Sequence, residues 1–121
     1  MAELTFSLIP QQQLTNAVIV AFHGECDHAT LPPVEQKILD LVQNFQGRHL
    51  IFDFTKLRYI NSEGVGFLVS LSVKLKKRGT ELLLCSFQSN VGDILQLVGI
   101  PKMIRVFQTL EEAIQAVQTS L

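Results

Sequence analysis

The stretch Arg58-Tyr-Ile-Asn-Ser-Glu-Gly-Val-Gly-Phe-Leu68 carries the apolar strand-like run Leu50-Ile-Phe-Asp-Phe54 into an apolar helix-like run through one serine, Ser62, followed by Gly64 and Gly66. A strand feeding directly into a helix is the repeating joint of an α/β domain. The first backbone N–H groups of a helix have no internal partner, and the helix dipole is positive at that end. A phosphate attached at Ser62 would therefore be solvated by the backbone, and the fold would tolerate it.

Working outward from that joint, the chain has 121 residues, 47% of them apolar and 17% charged. That is enough for one domain with one core, spanning 1–121, and too little for two. A formal net charge of −1 gives no overall attraction to nucleic acid or to an anionic membrane, so the expected partners are proteins or small molecules. The opening Met-Ala-Glu-Leu-Thr lacks a basic n-region, and no run of about 18 apolar residues occurs. A cytoplasmic protein is the expectation, with Cys26 and Cys85 as reduced thiols rather than a disulfide.

Apolar runs of strand length alternate with amphipathic runs of helix length. A strand from Thr5 to Ile9 and a second from Ala17 to His23, joined across a Gln11-Gln-Gln13 turn, predict a hairpin. Thr30 is placed to cap a helix with Pro32 and Pro33 in its first turn; Val34, Ile38, Leu41, Val42 and Phe45 form its stripe and Gly47 ends it. The third strand, Leu50–Phe54, precedes the Ser62 helix, which stops at Lys76-Lys-Arg-Gly79. Glu81–Cys85 is a fourth strand, and a third helix capped by Ser89 or Asn90 closes at Gly99-Ile-Pro101. A last strand near Met103–Phe107 precedes a capping box, Thr109-Leu-Glu-Glu112, that opens a terminal helix. The order β-β-α-β-α-β-α-β-α predicts a mostly parallel five-stranded sheet with an antiparallel N-terminal strand and four helices.

Several constellations compete for a function. Ser62 is either a structural residue, an N-cap or first-turn position with Gly64 and Gly66 permitting close helix packing, or a modifiable one. Ile60-Asn-Ser-Glu-Gly64 half-matches the hydrolase elbow, but its leading glycine is missing and His23, His28 and His49 all precede the serine. On a wheel of about 100° per residue, Gly64, Leu68, Leu71 and Leu75 form one stripe of the helix, with Val65, Val69 and Val73 beside it. The second stripe is either buried or a docking surface next to Ser62. His23-Gly-Glu-Cys-Asp-His28 gathers metal-ligating types, but no Cys-x-x-Cys or distant His pair completes a zinc set. Its place after a strand puts it at the Ser62 edge of the sheet. Asp53 raises a phosphoaspartate receiver, against which the acidic pair is split as Glu25 and Asp27, and Pro101 precedes Lys102 ahead of the last strand. Lys74, Lys76, Lys77 and Arg78 fit a solvated helix end, and no glycine-rich phosphate loop is present.

Taken together, Gly24-Glu-Cys-Asp-His-Ala-Thr30, Tyr59-Ile-Asn-Ser-Glu-Gly-Val-Gly66 and the Cys85–Ile100 segment resemble the STAS family of bacterial anti-sigma-factor antagonists over nearly the whole chain. The resemblance implies a non-enzymatic switch with no cofactor and no metal. Its unphosphorylated form binds an anti-sigma factor that is also a serine kinase; a dedicated serine phosphatase reverses the modification. Ser62 matches the phosphorylated position, Asp27 the acidic loop residue, and the helix from Ser62 the partner-binding element. Glu25, Asp27, His28, Asn61, Glu63, Val65, Val69 and Val73 are accordingly the expected partner-binding residues, on a monomer or weak dimer. Two positions depart from the commonest family pattern, which has Asp before the serine and Ser or Thr after it; here they are Asn61 and Glu63. The other function considered is a scaffold or ligand-sensing module for a nucleotide, lipid or anion, without a phosphorylation switch.

Overall fold

A computed structural model describes residues 2–11, 14 and 16–119. Its elements are β1 (Leu4–Ile9), β2 (Ala17–Cys26), α1 (Leu31–Gln43), β3 (His49–Ile60), α2 (Ser62–Lys76), β4 (Glu81–Cys85), α3 (Ser89–Leu97), a 3₁₀ turn (Ile100–Lys102), β5 (Arg105–Phe107) and α4 (Leu110–Thr119). One sheet holds the strands in the order β1-β2-β3-β4-β5. β1 runs antiparallel to β2 and the other pairs are parallel. The expected α/β class and element order are what the chain forms. Of the Gln11-Gln-Gln13 turn, Gln12 and Gln13 lie outside the described residues.

Alternation along the strands sorts side chains onto two faces. Val20, Phe22, Leu50, Phe52, Leu82 and Leu84 meet α1, α2 and α3, while Ile19, Ile51, Leu83 and Cys85 meet Ala113 and Val117 of α4. Strands covered on both faces read as near-continuous apolar runs, as Leu50–Phe52 and Leu82–Cys85 do. The two buried thiols, Cys26 and Cys85, fall in different layers and are free.

Four element ends differ from the sequence expectation, each for a tertiary reason. β2 continues past His23 to Cys26 because Glu25 N–H donates to Glu3 O at 2.7 Å, extending the pairing with the N-terminal segment. That approach requires Gly24, whose φ is +117° and whose added Cβ would lie 2.0 Å from Glu3 O. β3 runs on through Thr55 to Ile60, paired with Glu25 and Cys26, so Asp53 is a mid-strand residue that accepts bonds from Thr55 N and Oγ1. α1 stops at Gln43, before Phe45 and Gly47, where the Arg78 guanidinium donates to the carbonyls of Val42, Gln43 and Phe45. β5 begins only at Arg105, because Met103 and Ile104 donate their N–H groups back to Ile100 O. The Thr109 capping box forms as expected: Glu112 N donates to Thr109 Oγ1, and Thr109 N to Glu112 Oε1, both at 3.1 Å.

α2 lies close over the sheet at its first turn. A Cβ on Gly64 would fall 2.6 Å from Ile60 Cγ1 and 2.7 Å from Cys26 Sγ, whereas one on Gly66 would meet nothing within 4 Å. Gly64→Ala is therefore expected to destabilise the domain by about 1–3 kcal/mol through overpacking. Gly66→Ala is expected to stabilise it by roughly 0.8–1 kcal/mol through helix propensity; urea unfolding of the two variants checks both signs.

His49 is buried at the start of β3, and that burial lowers its pKa, with Arg105 and Arg48 acting in the same direction and Glu81 opposing. In the folded state it binds its proton only below the ordinary value of about 6.5, so the unfolded chain protonates first as pH falls. The associated stability is complete above about pH 6.5 and declines below it. His49→Gln is expected to flatten the fall in melting temperature between about pH 7.5 and 5.5 relative to the wild type.

Candidate functional site

The C-terminal ends of β2 and β3 meet the start of α2 at Ser62, and the start of α3 is bonded to β3 at Thr55 and Arg58. Asn61 is the N-cap of α2, with an extended backbone, and its side-chain oxygen accepts from Gly64 N at 2.9 Å. Its own N–H donates to Cys26 O at 3.0 Å, tying the helix start to the end of β2. Ser62 is thereby fixed as the first helical residue and is exposed. No described residue hydrogen-bonds its hydroxyl, so the cap is Asn61 and Ser62 is left free to react or to be covered. A carboxylate before the serine is not needed for this geometry, since the amide oxygen of Asn61 supplies the acceptor.

The loop beside Ser62 is braced by its own polar groups. Asp27 Oδ1 accepts from Ala29 N and Thr30 N, both at 2.9 Å. Thr30 Oγ1 accepts from Asp27 N at 2.9 Å and donates to Glu25 O at 2.7 Å. Thr30 precedes α1 but does not cap it with its hydroxyl, which is committed to the loop. The Thr30 and Ala29 N–H groups hold the Asp27 carboxyl below its usual range. Of the His23–His28 run, only Asp27 and His28 belong to this loop; His23 to Cys26 are strand residues, and alternation sends them to different sides. Among the described residues no group of three or more His, Cys, Asp or Glu is placed to hold a metal ion.

Two ion pairs that sequence reasoning did not find cross the site. His28 Nδ1 lies 2.9 Å from Glu63 Oε1, with both side chains largely exposed, at 88% and 51%. Glu63 thus has a polar partner across the loop. Glu25 accepts from Arg58 Nε at 2.8 Å and pairs with its Nη2 at 2.6 Å, and that Arg58 bond holds the Glu25 carboxyl below its ordinary value. Asn90 Nδ2 donates to Arg58 O and Gln88 Nε2 to Thr55 O, which pins the start of α3 against β3. Asn90 is therefore a bridge to β3, and α3 starts at Ser89 after Gln88 without a side-chain cap. These partners lie 32 to 35 residues apart, and neither periodicity nor capping chemistry signals them.

Gly64, Leu68, Leu71 and Leu75 are buried, as the first stripe of α2 predicts. The second stripe is graded: Val65 is 9% exposed and part of the core, Val69 is half-buried, and Val73 is 46% exposed. The apolar surface that α2 offers beside Ser62 is thus Val69 and Val73, while Val65 is withdrawn to pack on the sheet. Burial pushes the Cys26 thiol up to about 11, so it stays a neutral packing group beneath Gly64.

The site thus presents an exposed serine at the start of α2, with the Asp27 loop and the Val69 and Val73 side chains as its other described features. The STAS domain family model matches residues 9–113, and the chain belongs to that family. An anti-sigma F factor antagonist from Paenibacillus polymyxa is 23% identical over 99 residues, covering 82% of this chain and 85% of that protein. The crystal structure of an anti-sigma factor antagonist from Mycobacterium paratuberculosis superposes with a TM-score of 0.83 at 23% identity, covering 95% of this chain and 94% of that one. The Bacillus cell fate determinant SpoIIAA in its phosphorylated form superposes with a TM-score of 0.68 at 23% identity, covering 93% and 99%.

Asn61→Ala is expected to cost about 1 kcal/mol of stability by removing the cap, whereas Asn61→Asp is expected to retain it within a few tenths. Chemical denaturation of the two variants, with amide exchange at Gly64 as the local readout, measures the difference.

Proposed function

We propose that this chain is an anti-sigma-factor antagonist that works as a partner switch. Unphosphorylated, it docks on an anti-sigma factor with serine kinase activity through Glu25, Asp27, His28, Asn61, Glu63 and the α2 ridge of Val69 and Val73, with Val65 supporting the ridge from below. Phosphorylation of Ser62 ends the complex, and a serine phosphatase restores it. The protein acts in the cytoplasm, as a monomer or weak dimer, without catalytic chemistry of its own.

The observation that carries this reading is the Ser62 hydroxyl: exposed, unengaged by any described residue, and held at the first position of α2 by a cap that belongs to its neighbour. A kinase can reach it without unfolding anything. Family membership supports the same reading, as do the names of the relatives, one of which is a phosphorylated protein of this fold.

The switch follows from charge and position. A phosphoserine adds about −1.5 to −2 charges at neutral pH. In the free domain, water and the helix N-terminus solvate it. In a complex it would be a buried charge next to Glu63, whose partner His28 is already engaged by that carboxylate, as Arg58 is by Glu25. An uncompensated buried charge costs about 3–5 kcal/mol. At about 1.4 kcal/mol per decade, affinity falls by roughly two to three orders of magnitude.

Affinity capture from the native cytosol, with wild type, Ser62→Ala and Ser62→Asp as baits, tests the proposal. Wild type and Ser62→Ala are expected to retain an ATP-binding anti-sigma protein, identified by mass spectrometry, and Ser62→Asp to lose it with its melting temperature nearly unchanged. Equal capture by Ser62→Asp would make Ser62 a structural residue and overturn the charge mechanism.

A further inference from the structure

At the other end of α2, an open cleft of about 400 Å³ lies at the N-terminal edge of the parallel strands, lined by Arg48, His49, Ser72, Lys76, Thr80 and Met103, among others. Its volume falls within the range of about 300–1,000 Å³ common to small-molecule sites. Ser72 and Lys76 of α2 line it, which places this cleft roughly 15–21 Å from Ser62 along the helix.

The lining is positive, and its only acidic member is already engaged. Arg48 and Lys76 are exposed cations on the rim. Glu81 gives both carboxylate oxygens to Arg105, Oε2 to Nε at 2.7 Å and Oε1 to Nη2 at 2.8 Å. The carbonyls at the end of α2 are bonded within the chain, and the negative end of the helix dipole there is offset by the Arg48 and Lys76 charges. Val73 O accepts from Lys77, Leu75 O from Arg78 and Thr80, and Lys76 O from Gly79. Thr80 donates its hydroxyl proton to Gly47 O, while no described residue hydrogen-bonds the Ser72 hydroxyl.

His49 points most directly to a ligand. Its side chain is 8% exposed, yet among the described residues its ring makes no hydrogen bond; Glu81 Oε1 is 3.8 Å from Nε2. No fully enclosed side-chain nitrogen or oxygen among the described residues lacks a partner. The His49 ring nitrogens must therefore reach open space, and the space this residue lines is the cleft. Buried polar groups are normally paired with protein or water, so the His49 ring nitrogens that reach the cleft are available to water or to a ligand that enters it.

We propose that this cleft is a binding site for a small organic monophosphate. Arg48 and Lys76 supply the charge, His49 and Ser72 supply neutral donors, and Met103, which is 48% exposed, forms an apolar wall for the ester group. Arg48 suits a phosphate because its planar fork can give two parallel bonds to two oxygens, and charge-assisted bonds of this kind are the strong ones. The site is independent of Ser62 and of the partner switch, and touches the same helix from its opposite end.

Amide and imidazole NMR of the full chain, titrated with inorganic phosphate and with phenyl phosphate at constant ionic strength, tests the assignment. Saturable shifts are expected at Arg48, His49, Ser72, Lys76 and Thr80, with phenyl phosphate saturating at the lower concentration because of Met103. Arg48→Gln and Lys76→Gln, both exposed and away from the core, are each expected to weaken binding about tenfold, near 1.4 kcal/mol. Shifts that sodium chloride reproduces, that do not saturate, or that survive both substitutions would overturn the site. Phenyl phosphate binding no tighter than inorganic phosphate would overturn the organic-ester assignment.

Discussion

The architecture around Ser62 depends on one close contact, the backbone of α2 lying on Cys26 and Ile60 at Gly64. With no side chain at that point, the helix can descend until Asn61 N–H reaches Cys26 O and the Asn61 side chain turns back to cap Gly64. The end of β2, the end of β3 and the start of α2 are then one hydrogen-bonded unit. The Asp27 loop follows β2 directly, so its position relative to Ser62 is set by that unit rather than by contacts of its own with the serine.

Where an element's signal is local, it was legible in the sequence. The cap at Thr109, the apolar stripe of Leu68, Leu71 and Leu75 and the Glu81–Cys85 strand all follow from residues within about four positions of one another. Where an end is set by another segment, it was not. Nothing around Gln43 announces that Arg78, more than thirty residues on, will cap the carbonyls there. Nothing around His23 announces that Glu3 will carry the strand on to Cys26. The width of the apolar face of α2 was readable, but which valine is covered depends on how far the helix settles onto the sheet. Gly64 settles it far enough to take in Val65 and leave Val73 outside.

The site itself divides in the same way. Ser62 and Gly64 could be placed at the helix start from spacing, but spacing did not single out Asn61 as the cap, and the His28–Glu63 and Glu25–Arg58 pairs join segments 33 to 35 residues apart. Such pairs are exposed and add little to stability, typically below about 1 kcal/mol, so neither folding nor local propensity fixes their identity. His49 was unremarkable as a residue flanking a strand; only the three-dimensional arrangement shows its ring nearly buried and without a hydrogen-bonding partner.

The division of labour between backbone and side chains at this edge has a consequence for how such domains diverge. Backbone bonds and one glycine hold the serine in place, while the charged groups around it, His28, Glu63, Glu25 and Arg58, stand in solvent and are exchangeable at small cost in stability. A duplicated copy in the same cell could therefore rewrite its surface charges without first compensating a damaged core. Each such change is a single mutational step that alters the charge of this edge and leaves the packed core untouched.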